Sequence, residues 1–309
     1  MSTTREHTTR AATIVRPMRE QTPFQRFVSA FFESKVAAAA VAVFAVILFI
    51  AIFAPWISPQ DPYDLMVVDI MNSRLPPGEK SLDGMTFVLG SDGAGRDMLS
   101  AIFYGLRTSL GVGVMSAIIA LCIGVAVGLM AAYFGGRTDS LIMRIVDLQL
   151  SFPAILIALI LLSILGKGVD KIIIALVIAQ WAYYARTVRA SALVERRKEY
   201  IEAATCLALS HRRIVLRHLL PNVLPPLIVV GTLQTAHAIS LEATLSFLGV
   251  GLPQTEPSLG LLISNGFEYM LSGKYWISFF PGVALLVTIV SINLVGDQLR
   301  DVLNPRLER

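Results

Sequence analysis

Six stretches of the chain carry no Asp, Glu, Lys or Arg and are dominated by apolar side chains: residues 36–60, 108–136, 148–166, 172–185, 219–241 and 275–296. A helix must offer about 20 mostly apolar residues to cross roughly 30 Å of hydrocarbon. The pattern therefore predicts an all-α integral membrane protein with six transmembrane helices. Residues 172–185 are the short member, and they reach the required length when Gly168 and Val169 join the helix or when Lys171 and Arg186 snorkel. The first stretch follows thirty-five polar, charge-rich residues and exceeds the core of a cleavable leader, so it reads as a permanent anchor.

Basic residues fix the direction of the spans, because cytoplasmic loops collect Lys and Arg. With the amino terminus inside, segments 1–35, 137–147, 186–218 and 297–309 hold 19 Lys and Arg, whereas 61–107, 167–171 and 242–274 hold 7. Deleting the short fourth span would place the eight basic residues of 186–218 outside. Six spans with both termini in the cytoplasm is the consistent reading.

The organisation that results is a cytoplasmic segment 1–35, a first span 36–60, an external segment 61–107, a core 108–296 and a cytoplasmic tail 297–309. The stretch 56–107 mixes charges with Pro59, Pro62, Pro76 and Pro77 and reads as an ordered external cap. Within the core, 186–222 is the main internal loop, expected as short helices with an abrupt turn and with Pro221 interrupting or redirecting the chain. The segment 242–274 opens with nine apolar or small residues, 243–251, too few to span, and is expected to be re-entrant or interfacial.

Composition agrees: 55% of residues are hydrophobic, 16% are charged and mean hydropathy is +0.66. The net charge of +4 reflects orientation in a membrane, and no nucleic-acid partner is expected. Cys122 and Cys206 offer neither a disulfide framework nor metal spacing. No G-x-x-x-x-G-K-[ST], H-E-x-x-H or G-x-S-x-G occurs, so no catalytic residue, no metal site and no ATP binding by this chain is expected. His237 lies within the fifth span, where an interhelical hydrogen bond is favoured over a proton relay for want of a carboxylate partner at helical spacing. Gly111, Gly113, Gly124, Gly128 and Ala132 put small residues along the second span and predict close helix packing.

The internal loop carries the strongest signal. Glu202, Ala203 and Ala204, then Ala208, Ile214, His218, Leu220, Pro221 and Asn222 resemble the EAA loop of bacterial ABC-importer permeases, with Ala208 standing where that family usually has glycine. The external segment narrows the likeness. Leu89, Gly90, Ser91 and Asp92, then Gly95, Arg96, Asp97, Leu99, Ser100, Gly105 and Arg107 look like the signature of dipeptide, oligopeptide and nickel permeases, C-type subunit. Further matches are Asp147 with Ser151, Phe152 and Pro153; Glu242 and Ala243 with Leu245, Ser246, Phe247, Leu248 and Gly249; and Pro305, Arg306 and Leu307. The chain departs from the pattern at Phe87, Val88, Ala182, Leu259 and Asn304, which leaves the solute open.

The resemblance implies a type I importer permease of the bacterial inner membrane that forms half of a translocation path. It implies a B-type permease partner, two cytoplasmic ABC ATPases that carry ATP and Mg, and an extracytoplasmic substrate-binding protein. No cofactor is expected on this chain itself. The EAA loop would be the helix that docks in a groove of the ATPase, with the small face of Ala203 and Ala204 allowing close approach. Peptide is the expected solute, with nickel or another small solute the alternative. Arg96 and Asp97 read either as a local ion pair or as functional. Glu242 reads as an interfacial carboxylate, with a gate hydrogen bond alongside Ser246, Phe247 and His237 as the alternative. A self-sufficient secondary transporter would need intramembrane ionisable groups, for which only His237 competes, and an intramembrane hydrolase lacks its motifs.

Overall fold

The computed structural model describes residues 22–64, 66–81 and 84–303. Most of the amino-terminal segment (1–21) lies outside the described residues, as do Asn304 and the Pro305, Arg306 and Leu307 motif of the tail. Thr22 and Gln25 form a reciprocal capping box that starts α1 (Pro23–Glu33). Ser34 ends α1 and caps α2 (Lys35–Ile57), the first apolar helix.

The described part of the external segment holds a 3₁₀ turn at Ile70–Asn72 and a hairpin of two-residue strands in which Glu79 of β1 (Glu79–Lys80) faces Phe87 of β2 (Thr86–Phe87). This hairpin departs from a wholly helical expectation. The next helix, α3 (Met98–Phe134), begins ten residues before the charge-free run, because Arg107 sits on an exposed face and does not end it.

Two glycines of α3 set its closest contact. A Cβ at Gly124 would lie 2.3 Å from Tyr184 Cβ and one at Gly128 2.6 Å from Ala185 O, so α3 and α6 (Val169–Glu195) approach backbone to backbone. Gly113 makes room for the Ile239 side chain, with a Cβ there 2.4 Å from Cγ1, as the small-residue stripe predicts, whereas Gly111 faces open space. Helix α6 begins at Val169, so the short fourth span is 27 residues long.

The third candidate span is not straight. It divides into α4 (Gly136–Leu150) and α5 (Ala154–Leu165), bent by 86° at Ser151, Phe152 and Pro153, since Pro153 disfavours a continued helix there. Helix α4 is held along α6 by Asp139 to Arg189 Nε at 2.5 Å, by an Asp147–Arg186 ion pair and by a bond from the Gln149 amide to Ile178 O.

Within the internal loop α7 (Glu199–Cys206) is followed by α8 (His211–Arg213), which runs through a π-helical segment, Ile214–Leu219, into α9 (Leu220–Phe247). Of the two expected outcomes, Pro221 does not redirect the chain, and the interruption of regular α geometry lies just before it. The π turn, ending with Leu220 N–H on Val215 O, places Pro221 in the first turn of α9, where a missing N–H costs little. Helix α9 also runs on past residue 241 to Phe247, so 243–247 is not the start of a re-entrant element. The short piece is α10 (Leu259–Phe267), followed by a 3₁₀ turn at Met270–Ser272 and by α11 (Trp276–Leu303).

The main buried cluster joins α2, α3, α9, α10 and α11 through Ile47, Met98, Leu106, Ile239, Leu262 and Trp276. Among the described residues four helical runs, α2, α3, His211–Phe247 and α11, are long and apolar enough to cross a membrane, five if the bent pair is one crossing. Helix α6 is long enough, but Gln180, Arg186 and Arg189 make it less apolar. Exposed Phe49, Ile52 and Trp56 on α2 and Leu286 on α11 suit lipid better than water.

Candidate functional site

The internal loop folds onto the ends of two long helices. Helix α6 stops at Glu195, whose carboxylate accepts from Lys198 Nζ and Tyr200 Oη, each at 2.7 Å. Arg196 turns back to donate to Ala132 O at the end of α3, at 2.8 Å, with its guanidinium 5.9 Å from the Tyr133 ring. Desolvation, with the Glu195 bond adding to it, pushes the Tyr200 phenol up to about 12.

Helix α7 (Glu199–Cys206) then presents two different faces. Ile201 and Ala204 are buried against Ile214, with Leu209 and Tyr133 alongside, whereas Glu202, Ala203, Cys206 and Leu207 are exposed. The two alanines of the motif are therefore not one docking surface: Ala204 packs inward and Ala203 points out. The sequence spacing could not separate them, because adjacent helical positions lie 100° apart and the side that meets Ile214 is set by the return of the chain.

Ala208 ends α7 with φ +53°, the left-handed region. Ala208 N–H bonds Thr205 O at 2.9 Å and Leu209 N–H bonds Ala204 O at 3.2 Å, which is the Schellman pattern glycine usually closes. The turn closes as a glycine turn does, and the backbone carries the strain. Of the remaining motif residues, Ile214 is buried, His218 is half-buried, and Pro221 and Asn222 are exposed, with Asn222 donating to His218 O at 2.7 Å. Tyr133 Oη and His211 Nδ1 lie 2.6 Å apart, a tie between α3 and α8 that no motif foretold.

In the external segment Arg96 pairs with Asp92 at 2.7 Å, not with its neighbour Asp97. Asp92 also accepts from the amides of Ala94 and Arg96, so it builds the turn. Asp97, buried, caps α3 by accepting from Ser100 N at 2.8 Å and Ser100 Oγ at 2.6 Å. Gly90 and Gly95 have φ of +82° and +86°, and a Cβ at Gly95 would lie 2.1 Å from Asp69 O. Arg96 stacks 5.2 Å from the Tyr63 ring, and burial raises the Tyr63 phenol above its ordinary range. These motif residues form one structural cap, bound to α11 through Trp276 Nε1 on Ser91 O at 3.2 Å.

Glu242 is not interfacial. It is fully buried, accepting from Ser246 Oγ at 2.7 Å and Ser109 Oγ at 2.8 Å. Phe247 is exposed and stacks edge-on to Phe267. His237 is exposed and, among the described residues, makes no interhelical hydrogen bond, so the expected satisfied histidine is not what the fold provides.

Residues 124–309 match the family described as the binding-protein-dependent transport system inner membrane component, and residues 22–77 match the N-terminal TM domain of oligopeptide transport permease C. A putative peptide transport system permease protein of Brucella suis biovar 1 (strain 1330) is 40% identical over 263 residues, 85% of each chain. The dipeptide transport system permease protein DppC of Escherichia coli (strain K12) is 37% identical over 288 residues, 93% of this chain and 95% of its own. A solved structure of inward-facing conformations of the MetNI methionine ABC transporter shares the fold, with a TM-score of 0.55 at 23% identity, covering 66% of this chain and 97% of the other. On the family match and the identity to these relatives together, the chain belongs to the family of binding-protein-dependent transport system inner membrane components, a family of membrane permeases.

Proposed function

We propose that this chain is the C-type permease subunit of an ATP-driven importer for di- and oligopeptides in a bacterial inner membrane. Names of relatives at 37–40% identity over most of the chain support the peptide class. The observation that carries the mechanism is the outward edge of α7, where Glu202, Ala203 and Leu207 stand exposed on a helix whose other face is packed. Such an edge suits a helix-in-groove contact with an ATPase. In this reading the bent pair α4–α5 is the third crossing and α6 the fourth, and both termini are cytoplasmic.

The partners proposed are a B-type permease, two ABC ATPases and an external binding protein. ATP and Mg reside on the ATPases, and this chain carries no cofactor and no catalysis. When the ATPases close on ATP, α7 is drawn with them. Arg196 ties the loop to α3, the Glu195 bonds tie it to α6, and Ile214 ties it to the rod that becomes α9. The pull therefore reaches three long helices at once. A docked helix acts only by lowering one state relative to the other.

Co-expression of the tagged chain with the two ATPases tests the docking claim. Co-purification of both ATPases in detergent is expected, with no ATP hydrolysis by the chain alone. Persistent turnover in the pure subunit, or no association with the ATPases, would overturn it.

A further inference from the structure

Glu242 joins three elements at one carboxylate. Oε1 accepts from Ser246, one turn along α9, and Oε2 accepts from Ser109 of α3. Ser109 Oγ in turn accepts from Leu259 N, the first amide of α10, at 3.2 Å. Ser258 caps α10 by accepting from Leu261 N at 3.2 Å. All four side chains are buried.

The seam around them is closed by backbone. A Cβ at Gly260 would lie 2.2 Å from Ala243 O, and one at Gly251 2.8 Å from Ser246 N. Among the described residues no Lys, Arg or His forms an ion pair with Glu242. Arg107 of α3 is exposed, His237 of α9 is exposed, and α10 has no charged residue.

A buried carboxylate without a cation is a costly way to make a permanent joint, which apolar residues would make better. Hydroxyl bonds to a carboxylate have another property: water replaces them when the joint opens, so the open and closed forms differ little in energy. Resting on the transport reading above, we propose that Glu242 is the pin of a latch that fastens α10 to α3 and α9, released and remade as the external end of the permease opens and closes. Release would move α10 together with Phe267, Met270 and the fully exposed Leu271 at its far end.

The test uses the complete complex in proteoliposomes, with Cys122→Ser and Cys206→Ser as background and Ala243→Cys, buried at the seam against Gly260 and outside the hydroxyl network, as the reporter. A small, charged, membrane-impermeant methanethiosulfonate is added outside, with the complex nucleotide-free or trapped with ATP and vanadate. The reporter is expected to be protected in one state and to react at least about tenfold faster in the other. Equal rates in both states would overturn the latch. Adding Glu242→Ala should make the reporter reactive in both states. Should that variant fail to assemble, Glu242→Gln, which keeps the shape, is expected to narrow the difference, and an unchanged difference would show that the carboxylate is not the pin. A complex whose labelling differs between the two states yet imports no peptide keeps the latch and overturns the substrate reading.

Discussion

Leu209 N–H closes on Ala204 O at 3.2 Å, and the residue between the two that makes this possible, Ala208, is held at φ +53°. An alanine in the left-handed region costs about 1–2 kcal/mol relative to glycine. Ala208→Gly is expected to stabilise the loop by about 1 kcal/mol, partly offset by the greater freedom of glycine in the unfolded chain. Hydrogen exchange at residues 204–209 checks this. Slower exchange in the variant is expected, and unchanged or faster exchange would remove the strain argument.

The two motif alanines should respond oppositely to bulk. Ala203→Trp leaves α7 packed and obstructs its outer edge, an overpacking of about 1–3 kcal/mol that weakens ATPase docking roughly ten- to a hundredfold. Ala204→Trp forces the ring against Ile201 and Ile214 and disrupts the loop itself. Protease sensitivity of the loop, measured beside ATPase co-purification, separates them: intact loop with lost docking for the first, nicked loop for the second.

Glu202→Ala should keep the ATPases bound and loosen the link between hydrolysis and movement, since one exposed charge-assisted contact is lost while the apolar edge remains. Substrate-stimulated ATP hydrolysis and uptake, measured on the same preparation, report it. Wild-type values for both would return Glu202 to a solvated surface role.

The external cap depends on glycine where its turns close. Gly95→Ala puts a Cβ 2.1 Å from Asp69 O at a φ of +86°, and a loss of about 2 kcal/mol or more is expected. Thermal unfolding in detergent reads it, and a change within error would mean that the turn relaxes freely.

Topology follows from the distribution of basic residues. Single cysteines introduced near Arg197 should react only with reagents on the cytoplasmic side, and those near Lys80 only from outside, after Cys122 and Cys206 are replaced. Labelling near Arg197 from outside intact cells would refute the six-crossing arrangement.

The helices and the family were legible from hydropathy and from short motifs, because both depend on local sequence. What was not legible depended on where the chain returns. Charge marked the end of a span at Arg107, yet the helix passes it with that side chain exposed. Pro221 looked like a break, but the preceding π turn absorbed it. Arg96 stood next to Asp97 in sequence and paired with Asp92 in space. Glu242 sat at the end of an apolar run and read as interfacial, because its partner Ser109 lies 133 residues away. Nothing local announces such a contact.

The most direct test of the account is uptake of a labelled dipeptide by proteoliposomes holding this chain, its B-type partner, the two ATPases and the binding protein. Import is expected only when ATP and both ATPases are present, and it should be lost when Ala203→Trp blocks docking. Uptake that proceeds without ATP or without the ATPases, driven by an ion gradient, would contradict it.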